Sequence, residues 1–205
     1  MTVVSTRRER KKVAVRSQIL SKAIKLFSQR GFEAVTIDEV AAVADVGKGT
    51  IYNYFATKED IIVAFMVDLE ANMAPQISRF RQERRSVHRA LADYVLLHFR
   101  LKEPYHAFVR VFLAQMFMDT DRFLPYMVEM QKYIDPPLQS LFTTFEKRGL
   151  LRADIDVSQL IMSFKTMHLG LTALWAVEGP PFQQTAKVVR EQMQFFTQGI
   201  LRKTQ

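Results

Sequence analysis

The chain has 205 residues, a hydrophobic share of 48%, no cysteine and a formal net charge of +8. That length and apolar content suffice for one or two folded domains with a sizeable core, and the lack of cysteine excludes disulfides and thiol catalysis and fits a reducing, cytoplasmic setting. The basic balance favours a polyanionic partner, while no apolar run approaches the ~20 residues of a membrane span and no signal-peptide core follows the N-terminus, so a soluble, unexported protein is expected.

The charge is unevenly spread. Residues 1–30 hold nine Lys or Arg (positions 7, 8, 10, 11, 12, 16, 22, 25 and 30) against one acid, Glu9, whereas the next thirty are net acidic. Residues 1–14 therefore read as a basic flexible arm, suited either to a nucleic-acid backbone or to solvent. From Val15, the residues Ile19, Leu20, Ala23, Ile24, Leu26 and Phe27 recur at helical spacing, and Gly31 after Arg30 stops the helix.

Thr36 stands three residues before Glu39, the spacing of a reciprocal N-terminal cap. Ile37, Val40, Ala41 and Ala44 then line one narrow face, Asp45-Val46-Gly47 breaks the helix, and a second short helix follows. In it Ile51 and Phe55, four apart, face inward, which leaves Lys48, Gly49, Thr50, Tyr52, Asn53 and Tyr54 largely outward. Thr57 with Asp60 opens a third helix that carries Lys58 in its first turn. A solvated helix face normally carries Glu, Lys and Gln, so two tyrosines, a threonine and an asparagine there call for a partner. About seven residues of helix measure roughly 10 Å, close to the ~12 Å width of the DNA major groove, where base edges meet Thr, Asn and Lys; tyrosine hydroxyls suit phosphate oxygens. The alternative is a helical hairpin whose tyrosines pack on a neighbouring segment.

The pattern Thr36-x-x-Glu39-Val40-Ala41-x-x-Ala44-x-Val46-x-Lys48-Gly49-Thr50-Ile51-Tyr52-x-Tyr54-Phe55-x-x-Lys58-Glu59 resembles the DNA-binding signature of the TetR family of transcriptional regulators. The resemblance covers roughly residues 15–65 and implies a homodimeric, all-helical repressor that leaves its operator on binding a small molecule. Two positions bear on it: Gly47 stands where the family usually has a hydroxyl residue, and Tyr54 where it often has His or Tyr. Thr50 and Asn53 are expected at base edges, Thr36, Tyr52, Tyr54 and Lys58 at phosphates, and Lys48 at either, with Gly47 and Gly49 among the contact positions.

Past Phe65 the third helix keeps its period through Met66 and Leu69 as a connector that Pro75 bends or ends. The basic stretch 79–89 reads as a solvated link, or else as a second nucleic-acid patch. Ser86 caps a helix with Leu91, Val95, Leu96 and Phe99 inward, and Pro104 starts the aromatic segment that follows. A weaker helix over Phe123 to Ile134 is expected to break at Pro136-Pro137, and another, bearing Leu138, Leu141, Phe142 and Phe145, to close at Gly149. Gln159 to about Val177 is apolar almost all round, and a last helix spans about Gln183 to Leu201.

These patterns define an all-α fold: a three-helix helix-turn-helix DNA-binding head over residues 15–65 and a helical ligand-binding and dimerisation domain over 66–205. Leu171, Leu174, Val189, Met193, Phe196 and Ile200 are expected at a homodimer interface, unless both terminal helices are ordinary core. Tyr105, Phe108, Phe112, Met116, Phe142, Phe145, Phe164, Met167, His168 and Trp175 are expected to line a cavity for an apolar or amphipathic small-molecule inducer, or else to be plain core. A third reading keeps the DNA-binding head with a pure dimerisation module and no ligand. The parts of an enzyme are missing: Gly47-Lys48-Gly49-Thr50 lacks the spacing and preceding strand of a phosphate loop, histidines 88, 98, 106 and 168 show no paired metal spacing, and Glu146 with Asp154 is no recognisable acid/base pair. No cofactor or metal is expected.

Overall fold

Three reciprocal capping pairs punctuate the N-terminal part of the chain. In a computed structural model that describes residues 6–78 and 86–201, Thr6 with Glu9 opens α1 (Arg7–Arg30) and Thr36 with Glu39 opens α2 (Ile37–Val43). Thr57 and Asp60 exchange backbone-to-side-chain hydrogen bonds of 3.0 and 3.2 Å at the start of α4 (Lys58–Ser78). Each pair satisfies donors that a helix start leaves free. Between α2 and α4 lies the five-residue α3 (Lys48–Tyr52). Gly31, at φ +84°, ends α1 in a conformation that L side chains rarely adopt, and its N–H donates to the Phe27 carbonyl at 2.8 Å.

The capping pair at Thr6 corrects the expectation of a flexible arm over residues 1–14. α1 begins at Arg7, so Arg8, Arg10, Lys11 and Lys12 stand exposed on a helix; residues 1–5 lie outside the described residues.

The second domain consists of α5 (Val87–Lys102), a 3-10 turn (Glu103–Tyr105), α6 (His106–Met118), α7 (Thr120–Lys147), α8 (Val157–Glu178) and α9 (Thr185–Gln198). Among the described residues no strand forms, and one isolated antiparallel bridge joins Leu151 to Leu201. Most of the basic stretch 79–89 falls outside them. Pro75 sits within α4 rather than at its end, and α7 runs unbroken through Pro125, Pro136 and Pro137 where a break was expected. An interior proline costs about 3 kcal/mol or more. Beyond the pair, Leu138, Phe142 and Phe145 are each no more than 1% exposed, and burying such side chains is worth roughly 1.5–3 kcal/mol apiece. Packing outweighs the lost hydrogen bonds.

α4 is the structural spine, because it packs on α1 in the head and on α6 and α7 in the second domain. An aromatic chain reinforces the join: Phe27 of α1 meets Phe108 edge-on at 6.4 Å, and Phe108 meets Phe65 of α4 at 6.0 Å. Arg122 of α7 lies 3.3 Å from the carboxylate of Asp60, so α7 touches the very cap that starts α4.

α8 has 22 residues and a mean hydropathy of 1.3 over its most apolar stretch, enough by length and composition alone to cross a membrane. That corrects the expectation that no run approached a span. Its Leu160, Ile161, Phe164, Leu171, Trp175 and Ala176 are buried in the bundle. The opposite face carries Met162, Leu169, Leu174 and Val177, which are between 39% and 80% exposed.

Candidate nucleic-acid interface and ligand cavity

The head is built so that one polar face of α3 stays free. Ile51 of α3 and Phe55 beyond it are buried in the core that also holds Phe27 of α1 and Ile61 of α4, which fixes the rotation of the helix. Gln18 of α1 donates to the Ala44 carbonyl at 2.8 Å and so closes the end of α2. Tyr52 is 48% exposed, Lys48, Gly49 and Asn53 are exposed, and Thr50 and Tyr54 are half-buried. Gly47 is the N-cap of α3 and supplies no side-chain bond, while Asn53 caps the other end.

Two of the expected phosphate contacts are already engaged within the protein. The Thr36 hydroxyl accepts from the Glu39 N–H at 3.3 Å and donates to its carboxylate at 3.0 Å. The Thr36 N–H, which donates to the Glu39 carboxylate at 2.8 Å, and then Arg30 at 2.6 Å hold the Glu39 carboxyl at a pKa of about 2. Lys58 turns inward: its Nζ donates to the carbonyls of Phe32 at 2.9 Å and Val35 at 3.2 Å and lies 4.2 Å from the centre of the Phe32 ring. It clamps the loop between α1 and α2 through these bonds. Lys48 lies 2.9 Å from Asp38 of α2, and that hydrogen bond raises its pKa. The pair is exposed, so Lys48 can exchange Asp38 for another anion at little cost.

In the second domain a cavity of about 290 Å³ is walled by α4 to α8. Its lining includes Met66 and Glu70 from α4, His98 and Lys102 from α5, Phe112 and Met116 from α6, Met130 and Ile134 from α7, and His168, Leu169 and Thr172 from α8. Of the ten residues expected at a ligand cavity, the structure brings Phe112, Met116 and His168 to this one. Phe142, Phe145 and Phe164 are core, the first two crossing at 5.9 Å and Phe142 meeting Phe164 at 5.6 Å. Trp175 stacks between Phe99 at 5.1 Å and Phe182 at 4.9 Å. Tyr105 and Phe108 pack on Phe65, and Met167 is half-buried against the core. These seven positions build the walls rather than face the space.

The cavity has a polar inner wall that sequence patterns did not single out. Glu70 and Lys102 form a buried ion pair, and the His98 ring, 1% exposed, lies 4.0 Å from the Glu70 carboxylate. Both ring nitrogens of His98 and the Nε2 of His168 are buried without a hydrogen-bond partner among the described residues. Burial first, then the charge of Lys102, pushes the His98 pKa well below its usual value; burial and then His98 do the same for His168. Both imidazoles are therefore neutral at pH 7. The signal in the sequence was Glu70 one helical turn after Met66 and the i, i+4 pairing of His98 with Lys102.

The residues expected at a subunit interface divide. Leu171, Val189, Met193 and Ile200 are buried within the protomer, which removes them from any partner; Phe196 is half-buried and Leu174 exposed. α9 instead packs its buried side on α5.

A helix-turn-helix head carried on the spine of an all-helical second domain defines a DNA-binding transcriptional regulator. Residues 19–65 match the sequence model of the bacterial regulatory proteins of the tetR family. The match is to the helix-turn-helix head, which is therefore that of a TetR-family regulator. It is 27% identical over 171 residues to the uncharacterised HTH-type transcriptional regulator YhgD of Bacillus subtilis strain 168, covering 81% of this chain and 86% of that protein. Among solved structures, the fold is similar to Thermus thermophilus FadR, a TetR-family repressor in complex with lauroyl-CoA, at a TM-score of 0.75 and 19% identity over 93% of this chain and 97% of that one. It is also similar to FadR from Bacillus subtilis in complex with stearoyl-CoA, at a TM-score of 0.68 and 19% identity over 90% and 98% of the two chains.

Proposed function

We propose that this regulator is a cytoplasmic homodimeric repressor that binds an inverted-repeat operator and is released by a small molecule with a large apolar part. The observation that carries the reading is that Met66 and Glu70, which line the cavity, belong to α4, the helix whose first turn is built into the head. A molecule that fills the cavity presses on the spine that sets the spacing of two heads. The acyl-CoA complexes of the two FadR proteins support an apolar chain as the occupant. On the DNA side, Thr50 and Asn53 read base edges, Tyr52 and Tyr54 hold phosphates, and Lys48 exchanges Asp38 for DNA.

The dimer face is the outward side of α8, with Leu174 and Val177, joined by Phe195 of α9, which is 74% exposed. Ser163 and Gly170 lie on that same side of α8 and permit close approach of a second copy. Selection from a random duplex library with the purified chain tests the reading. It should enrich an inverted repeat with half-sites about 34 Å apart or a multiple of that, bound by two protomers. Recovery of no common sequence would contradict it.

A further inference from the structure

We propose that the inner wall of the cavity recognises a neutral oxygen function, a hydroxyl or a ketone carbonyl, on an otherwise apolar ligand. The inference rests on the reading of the cavity as a ligand site and adds to it the chemistry of the occupant's polar group. Three facts carry it. The charges at the inner wall cancel, because Lys102 is spent on Glu70, and a carboxylate placed there would stand beside a buried acid, while Lys165 of the lining is held by Asp135 at 2.6 Å. His98 and His168, with ring centres 5.1 Å apart and planes at 84°, present three buried ring nitrogens without partners among the described residues. Each neutral imidazole offers one donor and one acceptor.

A hydroxyl both donates and accepts, and a ketone accepts, so either satisfies nitrogens that a hydrocarbon leaves unmet. Thr172 is not a competing donor, since its hydroxyl already donates to the His168 carbonyl at 2.8 Å. Most of the rest of the wall, with residues such as Met66, Phe112 and Met130, is apolar and suits the carbon skeleton, with Gln131, Lys165 and Thr166 the further polar residues of the lining.

The test is a ligand-observed NMR titration of the purified full chain with three eight-carbon probes: 1-octanol, 2-octanone and octanoate. Octanol and octanone should bind at least tenfold more tightly than octanoate. His98→Phe should lose that preference tenfold or more while melting no lower than the unsubstituted protein, and His98→Gln, which keeps a donor and an acceptor, should recover part of it. Octanoate binding as tightly as octanol, or an unchanged preference in both His98→Phe and His168→Phe, overturns the proposal while leaving the cavity as a ligand site. Failure of all three probes and of lauroyl-CoA to bind overturns the cavity reading and this proposal together.

Discussion

The head and the second domain treat their inward polar groups in opposite ways. In the head, Thr36, Lys58, Asp60 and Gln18 each hold at least one hydrogen bond that closes a helix end or a loop. In the second domain, Tyr94 Oη, both nitrogens of His98 and Nε2 of His168 are the buried side-chain atoms left without a partner among the described residues. The head is finished before it meets DNA, so α3 arrives with a fixed orientation. The cavity keeps unmet hydrogen-bonding capacity, which lowers the stability of that domain and, on the proposed reading, is left for a ligand to meet.

The largest expected effect is one on which the two regions agree. Phe142→Ala in the second domain should cost about 3–5 kcal/mol and Ile51→Ala in the head about 2–5 kcal/mol, both read by urea unfolding. A loss under about 1 kcal/mol at either position would contradict its place in the core.

The regions part when polar groups are removed. Lys58→Ala should destabilise the head by roughly 1.5–3 kcal/mol, because two carbonyls lose a charged donor. The dependence of DNA affinity on salt should keep its slope; a decrease of about one unit per head would place Lys58 on a phosphate instead. His98→Leu should do the reverse and raise stability by about 1–3 kcal/mol, since an unsatisfied buried ring gives way to an apolar side chain of similar size. A loss on urea unfolding would show the ring satisfied.

Acidity sharpens the same contrast. His98 is neutral when folded, with a pKa well below the ordinary 6.5, so between those two values the unfolded chain binds more protons than the folded one. Stability therefore rises with pH across that window and is lost as pH falls below about 6.5, by up to ~1.4 kcal/mol per pH unit for the one imidazole. Thermal melts from pH 7.5 to 5.5 should show the decline, and His98→Leu should reduce it, leaving the share of His168. The smallest expected effect is Thr36→Ala, a loss of about 1 kcal/mol from one helix cap, detectable as a lower melting temperature.

Local signals were legible and distant partners were not. Residues 36–58 announced two helix starts, a turn and an inward Ile51 and Phe55 because capping and helical spacing act within four residues. The Thr6 with Glu9 cap belongs to the same class of signal, although the density of positive charge read as a flexible arm. Lys58 could not be placed from its neighbours: its partners, the Phe32 and Val35 carbonyls, are 26 and 23 residues away in sequence. Pro136-Pro137 read as a break because local propensity opposes helix there, and burial of Leu138 and Phe142 overrides it. The aromatic residues of the second domain were recognisable as apolar, but apolarity does not say whether a ring faces a cavity or fills a wall. Most became wall, and methionines with a few polar residues from five helices line the space.

The most direct test of the central claim, that α3 reads DNA through its outward polar face, is a fluorescence anisotropy titration of Asn53→Ala on the selected operator and on a shuffled duplex at fixed salt near 0.15 M. Affinity for the operator should fall by about 1–3 kcal/mol with affinity for the shuffled duplex unchanged, as expected of a lost base contact. Equal losses on both duplexes, or no loss on either, would contradict the assignment.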